Sequence, residues 1–402
     1  MKIGIAGPNK GPGQLGMLLA HAANNIHCLG ETNLKILTIG DGITPDWSDE
    51  HYGLTETEIK EFNDFCQIII FETESISDEY RNSFKDKLIP SREALNIFRN
   101  RIHEKEFFQK LDFNTPNFFV IDSESSLRKT IDTISSLDSY QGRLKTAEFG
   151  YDGHGQKQIN SWKDLENAWK ILGKVDCVLE EEINLYQELS VIVSRFKDGR
   201  CLFYPIPQNE HQNGILYRSK TSNLDEEEIE DLYLIAQKIV DELNYVGTFC
   251  LETFQVKGFQ GGILLNEAAP RVHNSGHYSL SACESTNQFD SHIRAVCNLN
   301  FPMSVETNIK NETFQVAKLN KSYFSMTNIL GVNFSCYQEI KNQIESSELF
   351  NKEDIEWSFI WYGKNEAKTG RKMGHLTITT NDMKLLEESE SLVDQLLENI
   401  AE

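Results

Sequence analysis

The residues whose types and spacing best suit chemistry lie between Gly247 and His277, in GTFCLETFQVKGFQGGILLNEAAPRVHNSGH. Glu252 falls in one apolar run, and Asn266-Glu267 close a second, Ile263 to Leu265, with a glycine-rich stretch from Gly258 to Gly262 between them. Apolar runs joined by a Gly-containing loop predict a β-hairpin. Such a hairpin brings two carboxylates and a carboxamide to one rim, where hard oxygen ligands can hold Mg²⁺ against substrate phosphates. Arg271, His273, Asn274 and His277 follow in a segment with neither strand nor helix period, as suits a site that handles an anion beside a metal. Spacing alone leaves a second reading open: two surface acids on strands and a polar loop.

Two further groups carry the same double reading. Lys145 lies at the end of a predicted strand, Gly142 to Thr146, and precedes Gly150-Tyr151-Asp152-Gly153-His154-Gly155-Gln156, whose glycines leave backbone N–H groups free to approach a phosphate. An ordinary hairpin turn beside a solvated lysine accounts for it equally well. Lys364, Lys368, Arg371 and Lys372 crowd one stretch of an otherwise acidic chain, either as a solvated hairpin or as an anion clamp lent to a neighbouring unit.

The elements that must position these residues follow from periodicity. Lys2 to Ala6, Leu34 to Ile39 and Ile68 to Phe71 are short apolar runs, with a helical pattern from Leu15 to Ala23. That is the βαβ rhythm of a parallel sheet. Gly11-Pro12-Gly13-Gln14-Leu15-Gly16 opens the first helix as G-x-G-x-x-G, either a dinucleotide fingerprint or a tight turn that accepts any anion. From residue 100 the pattern predicts a charged helix from Ile102 to Leu111 and strands at 117–122 and 142–146. Further strands are predicted at 178–182, ending in Glu180-Glu181-Glu182, and at 187–196, carrying Glu188. Ile229, Leu232, Ile235, Ala236, Ile239, Val240 and Leu243 follow the 3.6-residue period and predict a core-facing helix. After Pro302 a smaller unit is expected, with strands near 313–317, 357–362 and 375–380 and an acidic final helix.

Composition bounds the function. A chain of 402 residues is long enough for two or three domains, and 39% hydrophobic with 25% charged residues fits a globular protein. No run approaches the roughly 18 apolar residues of a membrane helix. The start, MKIGIAGP, reads as a buried strand rather than a secretory leader. Eight cysteines without a CxxC pair argue for reduced, buried thiols in a cytoplasmic chain. A net charge of −22 opposes a nucleic-acid partner, which needs many cation–phosphate contacts. Lysine, glycine loop and paired acids together suit phosphoryl transfer, while no Walker A loop, serine elbow or Cys–His motif is present.

In order along the chain, GQLG, NRIHEKEFFQKL, GYDGHGQ, ELSVIV, YPIPQNEHQNGIL, NEAAPRVHNSGH and GRKMGH closely resemble the 5-(carboxyamino)imidazole ribonucleotide synthetase family of the ATP-grasp superfamily. The resemblance runs from Gly4 to Thr377, and APRVHNSGH and GRKMGH are specific to this branch. It implies an α/β protein of three units: a Rossmann-like domain (1–100), a central ATP-grasp domain (101–300) and a small β-rich C-terminal domain (301–402). It implies a reaction in which ATP, bicarbonate and aminoimidazole ribonucleotide give the N5-carboxylated nucleotide through carboxyphosphate, with Mg²⁺, or Mn²⁺ in its place, as the metal. A cytoplasmic homodimer without nucleic-acid or membrane partners goes with it.

Residue by residue, the resemblance puts Arg101 and Lys145 on the ATP phosphates beneath the loop Gly150 to Gln156. Glu180, Glu181, Glu182 and Ile183 line the adenine, Glu188 meets the ribose, and His211 is a further nucleotide-site position. Glu252 and Glu267 hold the metal with Asn266 beside them. Tyr151, Asp152, His154 and His273 face the imidazole nucleotide, Asn274 lies next to them, and Arg271 meets the bicarbonate-derived anion. Lys364 and Arg371 clamp the ribonucleotide 5′-phosphate. Some positions depart from the family: Ala147-Glu148-Phe149 stand where basic residues and glycine are usual, His154 replaces an Arg or Lys, and Pro8 to Gly11 lengthen the first turn. These changes weaken the loop's expected positive field, and they motivate two other readings. One is a paralogue acting on a different amine; the other is a nucleotide-binding scaffold without catalysis.

Overall fold

The computed structural model describes every residue except 9, 10, 43, 75, 77, 85, 138, 149, 151–154, 257–261, 365 and 402, and the side chains of 81, 400 and 401 are also left aside. Its first unit contains β1 (Lys2–Ala6), α1 (Gln14–Cys28), β2 (Lys35–Ile39), β3 (Glu50–Tyr52), α2 (Glu56–Phe65), β4 (Ile68–Phe71), α3 (Asp78–Ser83) and α4 (Arg92–Phe98). The strands pair in the order β3-β2-β1-β4, all parallel. Parallel strands covered on both faces need continuous apolar runs, and Ile3, Ile5, Ile36, Leu37, Ile69 and Ile70 are fully buried.

The second unit has α5 (Arg101–Lys110), β5 (Phe118–Ile121), α6 (Glu124–Ser135), β6 (Gly142–Thr146), β7 (Gln156–Ile159), α7 (Trp162–Ile171) and β8 (Cys177–Glu181). Its antiparallel sheet runs β5-β8-β6-β7, packed on α6 and α7 through Leu127, Ile134, Leu165 and Trp169.

A large sheet takes the rest. Its first half is β9 (Leu185–Arg195), β10 (Cys201–Phe203), β11 (Pro207–Gln212), β12 (Ile215–Thr221), α8 (Glu226–Glu242), β13 (Gly247–Val256), β14 (Ile263–Ala269), α9 (Ser279–Ala282) and α10 (Gln288–Val296). Then come β15 (Val305–Ile309), β16 (Glu312–Val316), β17 (Tyr323–Leu330), α11 (Phe334–Ser346), β18 (Glu356–Trp361), β19 (Lys372–Thr380) and α12 (Met383–Ala401). The strand order is β15-β16-β10-β9-β11-β12-β17-β19-β18, and β13 pairs with both β9 and β14. Residues beyond 301 therefore extend the central sheet, through Arg218↔Thr327 and its neighbours, instead of forming a sheet of their own.

Local chemistry explains the key supports. Asp225 caps α8 by accepting from the N–H groups of Glu227 and Glu228 at 2.9 Å, and the Glu228 carboxylate takes the Asp225 N–H at 2.9 Å. The acid run there is thus a helix cap. Behind it Leu232, Ala236, Ile239 and Val240 are fully buried against the sheet, each large side chain contributing about 1.5–3 kcal/mol of burial. Asn213-Gly214 takes positive φ at both residues, +53° and +77°, and joins β11 to β12, the dihedral signature of the preferred two-residue hairpin turn. The first unit docks on the large sheet through α1 and α10, where Ala20, Ala23 and Ile26 share a core with Phe289, Ile293 and Val296. Among the described residues no helix is long and apolar enough to cross a membrane.

Candidate active site

The three units meet around one cavity of about 750 Å³. The hairpin expected around Glu252 forms as β13 and β14, with Glu252 opposite Glu267. The register then skips from Glu267 to Leu265, so that Asn266 is an extra residue on β14. Strict alternation would turn Asn266 and Glu267 to opposite faces; the bulge lets both reach the cavity wall. The glycine turn of this hairpin, 257–261, lies outside the described residues.

Glu252 sits low in the cavity, its side chain 14% exposed and its Oε1 3.5 Å from Nε2 of His273. Burial, and then the facing Glu267 carboxylate, push its carboxyl well above the usual carboxylate range. Cys250, Glu252 and His273 bring ligand-type atoms within 4.8 Å of one another. Burial keeps the Cys250 thiol protonated, so this group offers oxygen and imidazole, not thiolate. Asn266 Oδ1 is buried without a hydrogen-bond partner. An unpartnered carboxamide oxygen beside two repelling carboxylates fits a hard divalent cation, which would satisfy all three.

On the neighbouring wall Lys145, at the end of β6, donates to Glu180 Oε2 at 2.6 Å, and Lys105 of α5 reaches Glu180 Oε1 at 3.1 Å. Burial alone would raise the Glu180 carboxyl, but the two lysines hold it down to about 2. Glu181, Glu182 and Ile183 follow along the same rim. Arg101 donates to the carbonyls of Thr146 and Gly150 at 3.0 and 3.3 Å and lies 3.7 Å from Glu267 Oε2, so it joins the root of the glycine loop to β14. Gly150 and Gln156 line the cavity. Gly155, with φ +71°, stands behind them and accepts from the Thr146 N–H at 2.8 Å. Tyr151, Asp152, Gly153 and His154 lie outside the described residues, as does Phe149. Glu148 pairs with Arg99 at 3.1 Å and accepts from Asn100 at 3.2 Å, so its charge is matched locally. Farther along, His211 Nδ1 meets Glu188 Oε2 at 2.9 Å. Burial opposes protonation of that ring, but the Glu188 carboxylate raises its pKa above the ordinary value.

Opposite, the segment after β14 folds into a single 3₁₀ turn, Asn274–Gly276, behind His273. Arg271 is held by Glu74 of the first unit at 2.6 and 3.3 Å. Burial, followed by the charge of Arg271, keeps His273 neutral, and its Nδ1 meets the Ser275 hydroxyl at 2.8 Å. The Asn274 carboxamide pairs reciprocally with Asn328 of β17 at 2.6 and 3.1 Å. His277 Nδ1 lies 3.1 Å from the His273 carbonyl, and its Nε2 lies 3.0 Å from Nε2 of Gln14, whose Oε1 accepts from Lys364 at 3.1 Å. Lys364, Arg371 and Lys372 of the last unit line the same cavity. The described site residues expected by resemblance, other than Gly155, therefore line one cavity, while His277 and Lys368, singled out from spacing and charge, do not line it.

The ATP-grasp domain family model matches residues 106–289, and the phosphoribosylaminoimidazole carboxylase C-terminal domain matches 325–389. An N5-carboxyaminoimidazole ribonucleotide synthase of Staphylococcus aureus (strain COL) is 31% identical over 394 residues, covering 94% of this chain and 93% of the relative. The chain belongs to the N5-carboxyaminoimidazole ribonucleotide synthase family. A Pseudomonas aeruginosa synthase is 31% identical over 410 residues, covering 99% of this chain and 100% of its own. A solved ADP complex of an N5-carboxyaminoimidazole ribonucleotide synthetase superposes with a TM-score of 0.82 at 29% identity, covering 100% of this chain and 98% of that one. The ADP complex of the S. aureus enzyme gives 0.80 at 28% identity, covering 98% and 96%.

Within this family fold, several residues in or directly behind the cavity wall were not legible from sequence. Glu74 falls in a polar loop after β4 and carries no motif. Lys105 and Glu104 read as the charged face of an amphipathic helix, yet both are buried. The G-x-G-x-x-G turn resolves differently from a dinucleotide site: Glu72 accepts the N–H groups of Gly13 and Gly16 at 2.7 and 2.8 Å, so the chain's own carboxyl group occupies that helix start. His211 was expected only by resemblance. The Asn213-Gly214 dipeptide two residues on was the available signal that it sits on a hairpin strand.

Proposed function

We propose that this chain carboxylates the exocyclic amine of 5-aminoimidazole ribonucleotide, using ATP and bicarbonate, in purine biosynthesis. Bicarbonate oxygen attacks the γ-phosphorus of ATP; ADP leaves, and carboxyphosphate forms. The amine then attacks the carboxyl carbon, phosphate departs, and the nitrogen loses a proton. The observation that carries this reading is the single cavity in which a strand-end lysine, a bulged acid pair and the Arg271–Asn274 segment all face one another.

In this reading Arg101 and Lys145 hold the phosphates and, with the glycine loop, exclude water from a mixed anhydride that hydrolyses readily. Glu252, Glu267 and the carboxamide oxygen of Asn266 hold Mg²⁺, or Mn²⁺, which neutralises phosphate charge when bound. Glu180 to Ile183, Glu188 and His211 receive the adenosine end. Arg271 offers a guanidinium to the carboxylate-bearing species, with Glu74 fixing its direction. His273, neutral, hydrogen-bonds the acceptor without adding charge, and Asn274 orients beside it. Lys364 and Arg371 bind the ribose 5′-phosphate, and Tyr151, Asp152 and His154 complete the acceptor set. The reading includes a homodimer working in the cytoplasm, in keeping with the family resemblance.

The test is ADP release with Mg-ATP and bicarbonate, with and without aminoimidazole ribonucleotide. Strong stimulation by the nucleotide, lost in Lys364→Ala or Arg371→Ala, is expected. ADP release indifferent to that nucleotide would redirect the search to another amine, and an absence of turnover would leave a nucleotide-binding scaffold.

A further inference from the structure

The geometry points to Lys105 as a positioning residue that fixes the phosphate-facing Lys145 relative to the strand carrying Asn266 and Glu267. The inference deepens the reading above and rests on it. Lys105 is fully buried and does not itself line the cavity. Its ammonium donates to the backbone carbonyl of Asn266 at 2.8 Å, on the large sheet, and reaches Glu180 Oε1 at 3.1 Å, on the small sheet. The other Glu180 oxygen takes Lys145 at 2.6 Å. One unbroken chain of charge-assisted bonds thus runs from β14 through α5 and β8 to the lysine on β6.

Two features argue that this is more than packing. First, among the described residues β14 pairs with β13 alone, so its far edge needs other partners. Lys105 takes the Asn266 carbonyl, Glu104 accepts the Ala268 N–H at 2.6 Å, and the Asn114 carbonyl accepts the Leu265 N–H at 2.8 Å. The contacts straddle the bulge that turns Asn266 and Glu267 into the site, and hold it in shape. Second, burying an ammonium is costly, and a methionine of similar length would fill the space without that cost. Retaining the charge here has a use if Glu180 must be held by two lysines at once, so that Lys145 occupies one fixed position at the cavity wall.

The test measures ADP affinity by calorimetry, with and without Mg²⁺, together with thermal unfolding. The proteins compared are the wild type, Lys105→Met, Glu180→Gln and the double variant. Lys105→Met should unfold at lower temperature and lose about 10–100-fold in ADP affinity in Mg²⁺, the usual penalty for removing an outer support of a metal site. Without Mg²⁺ the loss should be much smaller, so the ratio of the two affinities falls. The double variant also takes the Glu180 carboxylate from the part-buried Lys145 ammonium, so neither its unfolding temperature nor its ratio should recover. An unchanged ratio in Lys105→Met, or a ratio that recovers together with the unfolding temperature, would overturn the proposal. A wild type that binds no ADP overturns the nucleotide-site reading and this proposal together. A wild type that binds ADP but carboxylates nothing overturns only the substrate reading.

Discussion

Replacing Glu252 by glutamine should stabilise the metal-free protein, and increasingly so as pH rises. Burial and the facing Glu267 hold the Glu252 carboxyl above its ordinary value in the fold, so between those two values the folded chain keeps a proton that the unfolded chain releases. Stability then falls as pH rises through that window. Glutamine titrates nothing, and its amide can still donate to Glu267. Each pH unit inside the window is worth about 1.4 kcal/mol, so the variant should lead by about 3 kcal/mol at most between pH 5 and 7. For a cooperative unit of about 150–250 residues that is roughly 6–12 °C in unfolding temperature. The assay is thermal unfolding in chelator at pH 5, 6, 7 and 8, repeated in excess Mg²⁺. The wild type should gain about 2.7 kcal/mol once the ion exceeds its dissociation constant a hundredfold, and Glu252→Gln should gain far less. A variant less stable than the wild type at pH 8 in chelator would refute the carboxylate-repulsion argument. Equal stabilisation of both proteins by Mg²⁺ would refute the metal assignment.

Other outcomes follow from packing and buried polar pairs. Asn328→Leu strands the Asn274 carboxamide without its reciprocal partner and should cost about 1–3 kcal/mol in denaturant unfolding, whereas the Asn274→Leu/Asn328→Leu double variant recovers only part of that, since the Leu216 carbonyl still lacks its Asn328 donor, and does not recover turnover. In the motif GRKMGH, a Cβ on Gly374 would lie 2.5 Å from the Ile360 carbonyl oxygen. Gly374→Ala should therefore cost about 1–3 kcal/mol in thermal unfolding by forcing β18 from β19. His292 is fully buried, accepts the Thr248 N–H at 3.0 Å, and is lowered by burial to about 3. Its contribution is complete above the ordinary histidine value and is lost as pH falls below it, at about 1.4 kcal/mol per unit. Unfolding temperature measured from pH 7 to 5 should fall less steeply in His292→Gln.

Much of this protein was legible in its residues. The apolar run Lys2 to Ala6, the 3.6-residue period of Ile229 to Leu243 and the paired runs around Glu252 and Glu267 each declare a local conformation, because strand and helix burial have different periods and a chain cannot satisfy both. The motif order carried the family, and with it an expected residue set that the fold gathers around one cavity, the residues outside the described set aside. What sequence could not determine is anything settled by contact between distant segments. The bulge that turns Asn266 beside Glu267 depends on the register of β13 against β14. The seating of Arg271 on Glu74, of Gln14 between His277 and Lys364, and of Lys105 between Asn266 and Glu180 each joins residues from different units. Period and composition assign a charged residue to solvent, since exposure is the cheapest place for a charge. Only the tertiary structure, by supplying opposite charges and open backbone groups at the right distance, makes the interior the better place for Lys105 and Glu180.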